Sequence, residues 1–534
     1  MVDVGKDIHR FSAFYSQHVL PDLAKKVKAT YIAAAIAAFI SYQVYKYVHI
    51  PKKLRHIPAV PFWLYMSSAL SGTAPDKRLD LIYPVLAKSP SGVYLKPDRG
   101  GGWSVSVVGP QALKILFLRK DDYPKSQAMI EDKRFLPARL LGNQNILGLN
   151  GAHWKKHRMI ANPAFHRHMP VKLFGKLCEK MIQRFETEDD GLSNVNVRVL
   201  MQRFTLDVIG LAGFGYDFQS LDNPDSERVK TYNSVMEGMR TPLFYFFPFL
   251  EKHLLWAFPT RRQQHLDCDI MFGHYQHVIE NKRRVLSEQK QRLEDPEKDL
   301  LTLMIEAGED DPSQALTDKE LRENLSVFFI AGHDTTSNAL SFALYWLAVN
   351  PDIQEKARKE VIEVIGDGAD KVYPTEAQIT QLKYIYMVMK ETLRVCPPVH
   401  SSQLRRVVED TELAGTVIPK GVHIQADMYL AHHNPAVWKD PEQFRPERFA
   451  PGGENEENAR KGLTWSPFGN GARQCIGMNF SLAEQRVVLA MLLRKFTWSL
   501  PEHSIHKDHI VLSAGGSSIM LAPADLHLNF KKRF

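Results

Sequence analysis

Cysteine is scarce in this chain. Its 534 residues include four, Cys178, Cys268, Cys396 and Cys475, far apart and without a CxxC pair. That excludes a disulfide framework and the common zinc folds, and it fits reduced thiols in a cytosol-facing protein. Dinucleotide fingerprints are missing as well. Gly469-x-Gly471 and Gly213-Phe-Gly215 lack the third glycine, so no nicotinamide or flavin site of that type is expected. There is no HExxH. His153 and His157 stand four apart without an acidic third ligand, and both read as solvated. Nor is charge concentrated: the net +8 is scattered, with no arginine-rich arm. Nucleic acid is therefore set aside as a partner, leaving an anionic membrane surface or an acidic protein. No repeat or low-complexity segment is present. The composition, 44% hydrophobic and 24% charged, is that of a globular chain with a large core.

Uncharged runs are also few, and the one that stands out is ATYIAAAIAAFISYQVY at 29–45. Its length is at the lower limit for crossing a bilayer, and Lys46 can snorkel to extend it. The expected layout is an N-terminal segment 1–28 with a short interfacial helix, a single-pass anchor at 29–50, a Pro-containing linker at 51–62 and a catalytic body at 63–534. A buried Ala-rich helix is the competing reading. Lysines flank the run on both sides, with a slight excess after it, so charge leans only weakly toward a cytosolic body. Lys531-Lys532-Arg533-Phe534 reads either as a solvated basic tail or as a dilysine retrieval signal of the endoplasmic reticulum membrane.

The fold class expected is mainly α with a small β portion. Helical periodicity covers 153–185, 197–213, 227–240, 262–287, 299–306, 318–349, 352–366 and 382–394. Strands are expected at 93–96, 103–108, 413–423 and 511–522. The segment 241–259, with LFYFFPFL and LLWAFP, reads either as a core helix pair or as an apolar lid that dips into a membrane. Pro242 and Pro248 argue against one continuous helix.

Two places carry chemistry. Thr317-Asp-Lys-Glu320 is a capping box that starts a helix ending before Pro351. Its middle, Ala331-Gly332-His333-Asp334-Thr335-Thr336, combines residues that suit a buried helix poorly. The functional reading is a notch: Gly332 admits a ligand to the backbone, Thr335 back-bonds and offers its hydroxyl, and Asp334 relays protons. The second place is PFGNGARQCIG at 467–477. Gly469 and Gly471 permit a tight loop, and Cys475 stands at a helix start, where free amides favour a thiolate. A single thiolate beside Arg473, without a second protein ligand, suits a metal that brings its own, as heme does.

Phe468-x-x-Gly471-x-Arg473-x-Cys475-x-Gly477 resembles the heme-binding signature of the cytochrome P-450 superfamily, and the resemblance extends from about residue 58 to the C-terminus. It implies heme b with Cys475 as axial ligand, and Phe468, Arg473 and Gly477 as part of the heme site. It implies that Asp334 and Thr335 form the acid–alcohol pair of oxygen activation. Glu391-Thr-Leu-Arg394 resembles the ExxR motif, and Arg448 in Pro446-Glu-Arg-Phe449 would complete a structural triad. Trp154 and Arg158 would contact one heme propionate, and Arg406, with Arg405 as the alternative, the other.

The resemblance further implies a monooxygenase that inserts one atom of O2 into a lipophilic substrate such as a fatty acid or steroid. NADPH–cytochrome P-450 reductase would supply the electrons, with cytochrome b5 as an additional partner and Lys155 and Lys156 as docking charges. An isomerase or dehydratase acting on peroxides is disfavoured by the intact Asp334–Thr335 pair; a non-enzymatic heme sensor is the third reading. Trp154-Lys-Lys-His-Arg158 with Asn162-Pro-Ala-Phe-His166 resembles the clan containing fatty-acid ω-hydroxylases. Some of its members link heme covalently through Glu at the position of Ala331, so no ester bond is expected here. Pocket-shaping segments are 128–146, 241–250, 328–335, 398–403 and 515–518, with His400 or Gln403 orienting a polar group.

Overall fold

The computed structural model describes residues 30–534, apart from 32–33, 35–36, 39–40, 43, 99–101, 129, 167–168, 188–191, 289–297 and 514–519. The segments 1–28 and 515–518 considered above lie outside the described residues. Part of the 29–45 run is described and is helical, at Thr30, Tyr31 and 44–48 among others. Among the described residues no helix is long and apolar enough to cross a membrane.

The body is organised around the helix Asp318–Val349. The expected capping box is present: Glu320 N–H donates to Thr317 Oγ1 (3.2 Å) and Thr317 N–H to Glu320 Oε2 (2.8 Å). The helix ends at Asn350, before Pro351. It is apolar nearly all round because it is surrounded. Val197–Phe214, Lys383–Val395 and Met478–Lys495 all pack on it, and Leu325, Phe329, Leu340 and Phe342 are fully buried. Burial of so continuous an apolar surface is what holds a 32-residue helix in place.

The β portion is small and lies to one side. Val93–Pro97 pairs antiparallel with Trp103–Val107, which runs parallel to His423–Ala426, which pairs antiparallel with Arg405–Arg406. The first two strands are where the alternation placed them.

Several expectations are corrected. The pattern at 153–185 is two helices, Gly151–His166 and Val171–Thr187, because periodicity continues in phase across a chain break at Met169-Pro170. The short strands with a Gly turn expected at 413–423 form a hairpin, Thr411–Leu413 with Thr416–Ile418, followed by His423–Ala426. Among the described residues of 511–522, Met520 and Leu512 form isolated bridges, with Val399 and Pro523 respectively. The basic C-terminus is folded, with the Lys531 and Lys532 side chains exposed. Lys531 and Lys532 belong to the strand His527–Lys532, paired with Phe496–Ser499, and Arg533 bonds Asp367 at 2.9 Å.

Candidate active site

The loop before Met478–Lys495 is closed on itself. Gly469 and Gly471 both have φ of +67°, as the turn required, and a Cβ on Gly471 would lie 2.9 Å from the Phe117 carbonyl. Cys475 N–H donates to the Phe468 carbonyl at 2.9 Å. Phe468 is half-buried near Trp465. Gly477 caps the following helix, and its backbone amide favours the Cys475 thiolate. Burial pushes the Cys475 thiol up, while that amide and the Arg158 charge pull it down. Cys178, Cys268 and Cys396 are buried, and burial drives each thiol upward, to about 12 for Cys268 and Cys396. Cys475 is the accessible cysteine.

Cations collect beside this loop. Arg158 donates from Nη1 to the Gln474 carbonyl (2.9 Å). Arg473 donates from Nη2 to Leu149 O (2.6 Å) and Asn150 Oδ1 (3.0 Å), and its guanidinium lies 3.9 Å from the centre of the buried Trp154 ring. Arg405 donates from Nη1 to Tyr123 O (3.0 Å), and its buried Nε has no partner among the described residues. Lys125 is close enough that Arg405 and Arg473, after burial, press its pKa well down. Burial and mutual repulsion bring Arg473 to about 10, and burial alone does the same to Arg405. Asp121, whose charge reaches Arg473, is exposed and held by Lys120. A cluster of one buried and three half-buried cations without an ion-paired acid among the described residues favours an anionic guest, and the two propionates of heme b fit that need.

Two sequence assignments change here. Arg406 is exposed and Arg405 is buried, because successive residues of a strand point to opposite faces. Of the two arginines weighed for the second propionate, it is therefore Arg405, the alternative, that faces the cluster. Lys125 and Asn150 carried no signal in the sequence. His157 is not solvated: it is buried, with Nε2 3.2 Å from Glu320 Oε1 and Nδ1 accepting from Asn324 Nδ2 at 2.9 Å.

Along the central helix the pattern of exposure breaks once. Between buried Ile330 and Thr336, Ala331 is exposed and Gly332 and Thr335 are partly so. Thr335 Oγ1 donates back to the Ala331 carbonyl at 2.7 Å, as expected for a groove-opening threonine. At the next residue, Thr336 Oγ1 lies 2.9 Å from Ser481 Oγ, which ties this stretch to the first turn of the helix after Cys475. Gly332 has a different reason from the one expected. A Cβ there would come within 2.8 Å of Ile209, so glycine serves close helix packing. Asp334 is buried and paired. Arg240 Nη2 reaches both carboxylate oxygens, at 3.1 and 3.0 Å, and His333 Nδ1 lies 3.3 Å away. Burial alone would raise the Asp334 pKa, but Arg240 and His333 outweigh it and hold the carboxyl below its usual range.

The ExxR residues meet as expected. Arg394 donates from Nε and Nη2 to Glu391 (2.8 and 2.9 Å), and Arg448 Nε donates to Glu391 Oε1 at 3.2 Å. All three side chains are fully buried. Their spare N–H groups bond the carbonyls of His432, Pro441, Lys439 and Asp440.

The chain belongs to the cytochrome P450 family, whose model matches residues 59–526. It is 31% identical over 422 residues to human cytochrome P450 4F12, covering 76% of this chain and 77% of that protein. Human cytochrome P450 3A5 is 32% identical over 359 residues (65% and 68%), and mouse cytochrome P450 4A12B 30% over 403 (73% and 75%). In structure the chain is similar to the heme domain of cytochrome P450DA, with a TM-score of 0.72, 24% identity and coverage of 90% and 98%. The protein is thus a heme-thiolate monooxygenase that binds heme b and acts on lipophilic substrates. Relatives of the 4F, 4A and 3A groups match at nearly equal identity, so these comparisons do not single out one group.

Proposed function

We propose that Cys475 is the axial thiolate, that Arg158, Arg405, Arg473 and Lys125 receive the heme propionates, and that the exposed face of Ala331 and Thr335 borders the reaction space. The observation that supports this most directly is the coincidence of one accessible thiol with a cation cluster lacking acidic partners. When bound, heme supplies oxygen activation, and a thiolate ligand favours O–O cleavage. The protein's own residues supply the rest. The Gly477 amide and Arg158 favour the thiolate. Arg240 keeps Asp334 ionised, and Arg240 is 30% exposed, so the Asp334 carboxylate lies one side chain from solvent. Thr335 holds its hydroxyl at the open face and passes the proton on. Glu391, Arg394 and Arg448 hold the segments that carry the loop.

The finer reading is hydroxylation or epoxidation of a fatty acid, steroid or similar molecule. Electrons come from NADPH through the separate flavoprotein reductase, with cytochrome b5 as an additional donor. Lys155 is exposed beside the cysteine loop and suits an acidic partner, whereas Lys156 is engaged with the Ala315 carbonyl at 2.7 Å. Residues 29–50 serve as the single-pass anchor in the endoplasmic reticulum membrane, 1–28 as an interfacial segment, 51–62 as the linker and 63–534 as the cytosolic catalytic domain. The segment 241–259 supports membrane contact. It forms two short helices, Pro242–Phe246 and Pro248–Leu254, with Phe244, Tyr245 and Phe246 buried beneath exposed Phe249 and Trp256. Trp63, 66% exposed, and Leu64 add to that apolar surface.

The test is the reduced, CO-bound absorption spectrum. Wild type should show the strongly red-shifted Soret band of a thiolate complex. Cys475→Ser should lose that band, together with reductase-driven turnover. An unchanged band in the variant defeats the assignment.

A further inference from the structure

Arg240 holds Asp334 ionised, but a guanidinium does not release its protons in proteins. That salt bridge therefore supplies none to the carboxylate. A second polar side chain meets Asp334 from within the fold. His333 Nδ1 lies 3.3 Å from Asp334 Oδ1 and 3.2 Å from the Tyr232 hydroxyl. The Tyr232 and His333 rings meet edge to face at 5.3 Å, and both residues are buried. Nδ1 thus stands between a hydroxyl, which can donate, and a carboxylate, which only accepts. The imidazole has two settings. With Nδ1 bare it takes the Tyr232 hydrogen, and with Nδ1 protonated it donates to Asp334. Burial lowers the His333 pKa, so the ring rests neutral, while the Asp334 charge and the Gln202 backbone favour a proton on it. Burial and the Asp334 charge raise the Tyr232 phenol, which keeps its hydrogen.

Tyr232 also lines a small cavity between the helices Glu227–Gly238, Pro259–Glu288 and Asp318–Val349. Its volume is about 10 Å³, the room that one water takes up. Two further residues of the wall carry buried polar atoms with no partner among the described residues, the Tyr275 hydroxyl and His274 Nε2. Burying such atoms unpaired is costly, and a water seated in the cavity gives them a partner. Phe218, Met271 and Phe329 make much of the remaining wall apolar. His274 is only half-buried, so on this flank the cavity is one side chain from solvent.

We propose that protons reach Asp334 through this cavity, passing from His274 to one bound water, to the Tyr232 hydroxyl and to His333 Nδ1. The inference rests on the reading of Asp334 as the acid of the site and adds the residues that supply it. In each transfer one O–H or N–H bond breaks as the next forms. Nδ1 takes the Tyr232 hydrogen and passes it to the carboxylate. Tyr232 takes one from the water, the water takes one from His274, and His274 is refilled from solvent. Asp334 alone ends in a new protonation state.

The experiment uses the full-length holoenzyme with the flavoprotein reductase, and dodecanoate as probe substrate. His333→Gln, Tyr232→Phe and His274→Leu should each lower kcat about tenfold, raise the solvent isotope effect and leave KM within about twofold. A merely structural role does not raise the isotope effect. Tyr232→Phe removes one oxygen atom and keeps the ring, so it provides a variant that folds if His333→Gln does not. A second readout is independent of turnover. In the reduced, CO-bound holoenzyme with isotope-labelled histidine rings, the nitrogen signals lost in His333→Gln belong to His333. In Tyr232→Phe these signals should move toward a ring carrying its hydrogen on Nδ1, because only the carboxylate then faces that nitrogen. Wild-type kcat and isotope effect in His333→Gln overturn the inference, and so do unmoved nitrogen signals in Tyr232→Phe. Wild-type behaviour of His274→Leu alone overturns the cavity as the inlet. If Asp334→Asn turns over like wild type, the reading of Asp334 has failed. If Asp334→Asn is impaired and His333→Gln is not, only the relay has failed.

Discussion

Arg405 and Arg406 are neighbours in sequence with opposite fates, and replacing each by Gln tests the propionate site. In the protein without heme, Arg405 is buried beside the other cations, and burial brings its pKa from 12.5 to about 10. At 1.36 kcal/mol per pH unit, keeping it charged costs roughly 3 kcal/mol. The sign follows from the direction of the shift. A cation with a lowered pKa destabilises the folded apoprotein at every pH below about 10, and the penalty is relieved only above that pH. Arg405→Gln should therefore stabilise the apoprotein at pH 7.5. With heme bound, the same side chain faces an anion, and a charged hydrogen bond is worth about 1.5–3 kcal/mol. The variant should lose heme some tenfold to a hundredfold faster. Transfer of heme to excess apomyoglobin reports the loss rate, and urea unfolding of the apoprotein reports the other half. Arg406→Gln, on the exposed face, should leave both within about twofold. Faster heme loss from Arg406→Gln than from Arg405→Gln would refute the strand-face argument. Lower apoprotein stability in Arg405→Gln would refute the electrostatic one.

Lys155→Glu should slow reductase-driven turnover several-fold, more so at low salt, and leave peroxide-driven turnover unchanged; equal losses in both assays would count against docking. Asp334→Asn removes the acid but keeps its shape. It should lower oxygen-dependent turnover at least tenfold and raise the solvent isotope effect, whereas turnover like that of wild type would remove Asp334 from proton delivery. Glu391→Ala leaves two fully buried guanidinium groups without their shared carboxylate, a cost of about 3–5 kcal/mol. Heme-loaded protein should be recovered poorly from that variant, and recovery at the wild-type level would argue that the triad is dispensable. Because Ala331 stands where an ester-forming Glu would be, acid–butanone should extract all the heme; pigment retained by the protein would contradict this.

Features legible from the sequence share one property: each is written in residues close together along the chain. The capping box at Thr317 and Glu320, the positive-φ glycines of the cysteine loop, the back-bonding Thr335 and the Glu391–Arg394 pair all depend on local geometry, and each is present. The strands at 93–97 and 103–107 follow from alternation in the same way. Where the chain breaks but the apolar rhythm continues, as at Met169-Pro170, local pattern alone misleads.

The tertiary structure decided whatever depends on which distant surface a side chain meets. Gly332 is small because Ile209, more than a hundred positions earlier, packs against it. His157 is buried because Glu320 and Asn324 of another helix bond both of its ring nitrogens. Lys125 joins the cation cluster because its segment pairs with the strand of Arg405. Charge and burial act through space, and positions 125, 158, 405 and 473 become neighbours only when the sheet and the helices have packed.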